Sequence, residues 1–279
     1  MLKFNRSRRA DHLPGFRLHL VLAIAFLGFF VLLPVAALLA KSISMGPSFF
    51  WQTITDARAV ASYRVTVSAA IEATIFNSFF GLLMAWILVR YDFFGRGFLD
   101  AMVDLPFALP TSVSGLALAT LFSTKGWLGE PLKHLHIKVA YAPLGIAVAM
   151  AFTGVPFVIR SVQPVLASLE ADVEEAAETL GASSFAIFRR IIFPAILPAL
   201  ATGATLAFGR AIGEFGAVIF IAGNVPYKTE ITALLTYTHL DEFDYAGSAA
   251  IATVMLLLSF AVMVAADYLE GWGRKWAQP

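Results

Sequence analysis

Apolar positions run through this chain in long blocks, and only the stretch 169–198 reverts to a charged, amphipathic pattern. Six blocks read as membrane-spanning helices: 18–40, 65–89, 101–122, 141–159, 196–222 and 246–266. The first has 23 residues, which as a helix reach ~34 Å, enough for the hydrocarbon core of a bilayer. A cleavable leader is the competing reading, because Ala36-Ala37-Leu38-Leu39-Ala40 has small-residue character. The block is longer than a leader's apolar core, so it reads as an uncleaved span. The third block carries Asp104, Pro106 and Pro110, and a bent or late-starting helix is expected there. The pattern predicts an all-α polytopic membrane protein with six transmembrane helices. One transmembrane domain covers 18–268, with short segments 1–17 and 269–279 outside it.

The exceptional stretch predicts a helical hairpin in water. Leu166, Leu169, Val173, Ala176, Ala177 and Leu180 recur at helical spacing, with Glu170, Asp172, Glu174, Glu175 and Glu178 between them. Gly181 suits the end of that helix, because a residue without Cβ adopts positive φ at little cost. Ser183 or Ser184 can cap a second helix with an apolar stripe of Phe185, Phe188, Ile191 and Ile192. Pro194 and Pro198 mark where the chain returns to the membrane. The small Ala176 and Ala177 beside the glycine leave a shallow dent that another protein could approach. An amphipathic hairpin lying on its own bundle is the alternative.

Composition agrees with the class: 59% of the 279 residues are hydrophobic and 14% charged, with a mean hydropathy of +0.77. A formal charge of +1 gives no reason to expect a nucleic-acid partner. The absence of Cys excludes disulfides and thiol chemistry. Lys and Arg orient the bundle. With the N-terminus inside, the cytoplasmic segments hold 12 of them and the outer segments 7. Both termini and the hairpin, 169–193, are then cytoplasmic.

Charges within spans are costly and therefore informative. Arg210 and Glu214 are spaced to share a helix face. They read either as a neutralised pair that locks the fifth span to its neighbours or as an anion guide. Gly209, Gly213 and Gly216 would allow another helix to approach. Thr111, Ser112 and Ser114 follow the Pro110 bend as candidate hydroxyl donors or as packing residues. Glu72 and Asn77 read as interior glue, and Asp104 as reaching water. His134 and His136 lack a third metal ligand and read as a solvated loop. The 223–245 segment, with Tyr227, Lys228, Glu230, Asp241, Glu242 and Asp244, reads as a docking surface for a delivery protein or as a wet loop. No GxxxxGK[ST], GxSxG or HExxH sequence occurs. An enzyme within the membrane would need a converging catalytic set, and none is recognisable.

The order Glu175-Ala176-Ala177, three residues, Gly181, nine residues, Ile191, one residue, Phe193-Pro194 resembles the EAA loop of ABC-importer permeases. Only Phe193, standing where that pattern has Leu, departs from it. Residues 80–123, 145–166 and 209–224 are similar to permease subunits of the sulfate/thiosulfate type (CysT type), within a likeness covering 15–266. The resemblance implies a six-helix permease of the MetI-like fold. Its coupling residues would be Glu174, Glu175, Ala176, Ala177, Gly181, Ile191 and Pro194. It further implies a CysA-type ATPase that binds ATP and Mg, a CysW-type second permease subunit, and a periplasmic sulfate- or thiosulfate-binding protein. On this reading the chain binds no cofactor and catalyses nothing itself. Molybdate or tungstate permeases are close relatives, and a stand-alone anion transporter or channel is the rival from another class.

Overall fold

The computed structural model describes residues 16–276, and the predicted N-terminal segment lies almost wholly outside them. The described residues are helical, with no strand. Helix α1 (Phe16–Leu27) passes through a π turn (Gly28–Leu32) into α2 (Leu33–Ser44), forming one long apolar rod. The π turn has a cause in the sequence. Pro34 has no N–H for the carbonyl four residues back, and the Leu33 amide reaches to Gly28 instead. The rod stands clear of the bundle along most of its length. Its far end is tied down where Ser42 Oγ donates to the Ala249 carbonyl at 3.1 Å and meets Thr253 Oγ1 at 2.9 Å.

After α3 (Pro47–Thr55) comes α4 (Ala57–Arg90), started by Asp56, whose Oδ1 accepts from the Arg58 amide at 2.9 Å. Its buried face is a stripe of small residues: Ala59, Ser62, Thr66, Ala69, Ala73, Asn77, Gly81 and Ala85. Lipid offers no hydrophobic drive between helices, so close van der Waals packing of such stripes holds a bundle together. A Cβ on Gly81 would lie 2.8 Å from Val158, and one on Gly203 would lie 2.8 Å from the Val158 Cα. These contacts pack α4, α9 (Pro143–Ala167) and α12 (Phe193–Ile212) against one another as the core of the fold.

The third apolar block is not one helix. It divides into α5 (Arg96–Val103), α6 (Leu105–Ala108) and α7 (Thr111–Leu121), with breaks at Asp104 and at Leu109–Pro110. At 11 residues, α7 reaches only ~16 Å and cannot cross a bilayer alone. A short α8 (Gly129–His134) follows. The fifth block also breaks. Helix α12 ends at Ile212, and α13 (Gly216–Ala222) begins beyond Gly213-Glu214-Phe215. Among the described residues five helices are long and apolar enough to span a membrane, and the interrupted α5–α7 stretch supplies no sixth by length.

The 223–245 segment is not a simple loop: its two ends, around Tyr227 and Lys228 and around Asp241–Phe243, are exposed, while Thr229–Thr232 and Leu234–Leu235 are buried. Within it α14 (Thr232–Asp241) packs on α4 and on the last helix, α15 (Tyr245–Trp276). Glu230 is 1% exposed and receives both Arg58 Nε and Nη2 at 2.7 Å. Asp244 caps α15 by accepting from the Gly247 amide at 2.8 Å. That bond, with His239 at 2.8 Å, holds the Asp244 carboxyl below the usual carboxylate range. Glu230→Ala would leave Arg58 half-buried without its partner. A loss of roughly 1–3 kcal/mol is expected, since Arg58 is partly solvated, read as a lower unfolding temperature of the purified protein. An unchanged temperature would mean that the pair does not hold this end of the bundle.

Candidate functional site

Two places bring polar residues together without an evident role in the core: a hairpin at one end of the bundle and a cavity between the two broken spans. The hairpin consists of α10 (Ala171–Thr179), a turn at Gly181, α11 (Ser184–Ile187) and a π turn (Phe188–Ile192) leading into α12. At the turn the Ala182 amide donates to the Ala177 carbonyl at 3.0 Å and the Gly181 amide to Glu178 at 2.9 Å. Gly181 sits at φ +83°. This is a Schellman stop, which needs a residue tolerant of the left-handed region. Ser183 Oγ caps α11 by accepting from the Ala186 amide. The π turn again comes two residues before a proline: without a Pro194 N–H, the Phe193 amide bonds to Phe188.

The faces of the hairpin sort the predicted residues. Ala177 and Ile191 pack into the cluster around Leu166, Val162 and Ile196. Glu174 also faces home, accepting from Arg90 Nη2 at the end of α4. The Arg90 guanidinium in turn lies 5.4 Å above the Trp86 ring, which meets Phe188 edge-on. Glu175, Ala176 and Gly181 are exposed, and Pro194 is exposed at the start of α12. Around them stand Leu180 (89% exposed), Phe185 (72%) and Val173 (48%). Helical spacing assigned Val173, Ala176 and Leu180 to one stripe with Leu166 and Leu169. The chain turns after Leu169, so the stripe divides, and its outer half faces away from the bundle. The Arg90–Trp86 seat under Glu174 was not foreseen, because Arg90 reads in the sequence only as a charge closing a span. Arg90→Ala is expected to cost about 1–2 kcal/mol of seating energy. The check is faster proteolysis within 169–193 with the spans intact; an unchanged cleavage rate would count against the seat.

A second cluster lies beside the hairpin. Arg160 donates to both oxygens of Asp104, at 2.9 and 2.6 Å, and to Asp100 Oδ1 at 2.7 Å. Gln163 closes the ring to Asp100 at 3.1 Å. The Gln163 amide, followed by the Arg160 guanidinium, lowers the Asp100 pKa. Asp104 reaches water, as expected, and is also the post that fastens the break after α5 to α9.

The cavity holds about 500 Å³ and is lined by Thr111, Ser112, Arg210, Gly213, Glu214, Phe215, Gly216, Ile219 and Phe220. Four of the five predicted path residues therefore meet. The fifth, Ser114, is buried, lies outside the cavity's lining and bonds to the Pro110 carbonyl. Arg210 Nη1 is 2.7 Å from Glu214 Oε2, although the helix breaks between them. Of the three predicted close-approach glycines only Gly216 serves: a Cβ there would meet Thr111 Oγ1 at 2.1 Å, whereas Gly209 faces open space. Gly115, not singled out beforehand, does the same job, since its Cβ would be 2.3 Å from the Ala217 carbonyl. Asn77 is buried beside Gly154, but Glu72 is exposed on α4 and makes no hydrogen bond or ion pair among the described residues. His136 lines a different cavity with Lys133 and Lys138.

A bundle of apolar helices, two of them interrupted at one polar cavity, with a water-facing hairpin at its end, defines a polytopic membrane transport component. Residues 77–275 match the family of binding-protein-dependent transport system inner membrane components, and the chain belongs to it. It is 52% identical over 270 residues to the sulfate transport system permease protein CysT of Escherichia coli (strain K12), covering 96% of this chain and 97% of that one. The CysT protein of Synechocystis sp. (strain ATCC 27184 / PCC 6803 / Kazusa) is 46% identical over 257 residues, covering 92% and 90%. Among solved structures, a bacterial alginate ABC transporter in complex with an alginate pentasaccharide-bound periplasmic protein shares the fold. Its TM-score is 0.75 at 16% identity, with 94% of each chain covered. The MetNI methionine ABC transporter, inward facing, gives a TM-score of 0.56 at 16% identity, covering 77% of this chain and 95% of that one.

Proposed function

We propose that this chain is one permease subunit of an ATP-driven importer of sulfate and thiosulfate in the bacterial inner membrane. Its 52% identity over 96% of the chain to a sulfate transport permease supports the cargo. The observation that carries the mechanism is the hairpin, which turns Leu180, Phe185 and Val173 outward on a rigid, capped frame. Exposed apolar groups of this size, rimmed by Glu175 and Glu178, suit a protein partner. That partner is an ABC ATPase, which binds the ATP and Mg. This chain contributes no nucleotide site, in keeping with the lack of a P-loop sequence. The excess of Lys and Arg at the hairpin end favours a cytoplasmic hairpin and cytoplasmic termini.

A second permease subunit follows from Glu72. It lies near the middle of the 34-residue α4, faces outward, and has Ile75 and Phe79 for neighbours. A carboxylate directed into lipid at that depth is costly, and a partner helix or a shared aqueous path removes the cost. A periplasmic binding protein delivers the anion. ATP-driven closure of the ATPases moves the two hairpins, and each hairpin carries its α12 with it through the π turn. The rigid part is the α4–α9–α12 core; the hinge is the Gly213–Phe215 break.

ATP-dependent uptake of labelled sulfate into vesicles carrying the assembled complex tests this function. Competition by thiosulfate ahead of molybdate is expected. Uptake without the ATPase, or preferential competition by molybdate, would overturn it.

A further inference from the structure

The cavity at the two broken spans has more donors than its neighbours use. Pro110 ends the bend before α7, and the Val113 and Ser114 amides already bond to its carbonyl. The Thr111 and Ser112 amides, first in the helix, have no acceptor within it. Both residues line the cavity and carry hydroxyls. Across from them Arg210 comes from the last turn of α12, with its side chain 32% exposed. Among the described residues its guanidinium makes no hydrogen bond. Glu214 Oε2 is 2.7 Å away, yet that oxygen lacks any hydrogen-bond donor, so the pair is close but off line. The other oxygen, Oε1, is held by the Ala217 amide at 2.8 Å. Glu214 itself is 1% exposed.

We infer that this cavity is a transit site for a dianionic tetrahedral oxyanion, with Arg210 as its principal donor and Glu214 as the resident counter-ion that sets its specificity. The inference rests on the importer reading and names where, within that importer, this chain touches its cargo. With the site empty, Glu214 neutralises a guanidinium that would otherwise be uncompensated in a low dielectric. Glu214 cannot follow Arg210 far, because Oε1 is fastened to α13. Arg210 has the longer, freer side chain and can change partners. An incoming anion must outcompete a carboxylate already in place, which a monovalent anion does poorly. A dianion offers two oxygens to the guanidinium fork and others to the Thr111 and Ser112 donors. The carboxylate that remains nearby repels it. That keeps binding weak, and a site on a path must release what it holds.

The test is equilibrium binding of labelled sulfate to the purified, assembled transporter in nanodiscs without its binding protein, beside uptake in vesicles. Glu214→Gln keeps the bond to Ala217 and removes the competing charge. It is expected to tighten sulfate binding about tenfold or more, to slow uptake, and to admit nitrate as a competitor. Arg210→Gln is expected to abolish the binding. A role in packing alone predicts the opposite for Glu214→Gln: unchanged or weaker sulfate binding, which overturns the inference, as does wild-type binding by Arg210→Gln. If Arg210→Gln does not assemble, Thr111→Val decides, with a several-fold loss expected and an unchanged affinity contradictory. ATP hydrolysis stimulated by sulfate-loaded binding protein reads out the importer assignment separately. Its absence would sink that assignment, whereas the binding results above judge the cavity.

Discussion

Valine in place of Gly181 is expected to lower uptake by more than about tenfold while the protein still inserts. The reason lies in the backbone. At φ +83°, a β-branched residue costs roughly 1–2 kcal/mol or more. A Cβ there would meet nothing within 4 Å, so packing within this chain is not the source of the loss. The strain relaxes by turning α10 relative to α11, which breaks the Ala182 and Gly181 bonds that close the turn. It displaces Leu180 and Phe185 together. Asparagine tolerates the left-handed region, and Gly181→Asn is expected to keep much of the activity. Uptake at the wild-type rate by Gly181→Val would mean that the shape of the turn does not matter to transport.

The second large effect is expected from Leu180→Asp and Phe185→Asp. Neither side chain is needed at home, because both project from the hairpin. Membrane insertion and thermal stability should therefore stay close to those of the unaltered protein. Binding of the ATPase should not. Apolar residues at the centre of an interface commonly contribute roughly 2–4 kcal/mol each, a loss of about 30-fold to a thousandfold in affinity. Co-purification with the ATPase measures this directly. Its full retention by both variants would remove the hairpin's crown from the interface.

These two effects separate the hairpin's outside from its inside, and the sequence drew that line imperfectly. The glycine stop, the serine cap and the proline return were all legible, because each depends on local backbone chemistry. Residues Glu174, Ala177 and Ile191 fell into the same motif as Glu175, Ala176 and Gly181, yet they face the bundle. Which side of a short helix faces home depends on the turn after Leu169, a tertiary matter. The long uninterrupted spans were legible for the same reason as the stop: apolar length is a sufficient signal. The interruption at Pro110 was legible too, while that at Gly213–Phe215 was not, since no proline marks it. Arg210 and Glu214 looked like one turn of a helix and are instead a contact across its end. The Arg160 ring and the Arg58–Glu230 pair join residues 56 to 172 positions apart. No periodicity carries information over that range.

Sequence, packing and mechanism meet at one point. Small residues let α4, α9 and α12 pack closely against one another. Arg90 and Trp86 seat the hairpin on that core. In the importer proposed above, a push on the hairpin passes through the π turn into α12, whose last turn lines the cavity.

Because the chain has no cysteine, a single one can be placed without background. Glu175→Cys on the exposed face of α10, with a bifunctional thiol reagent and single cysteines on the ATPase, is the most direct measurement. A crosslink that forms in the assembled complex and changes in yield when ATP is added is the predicted result. A cysteine that reacts with a membrane-impermeant reagent from the outer face, or that never joins the ATPase, would contradict the account.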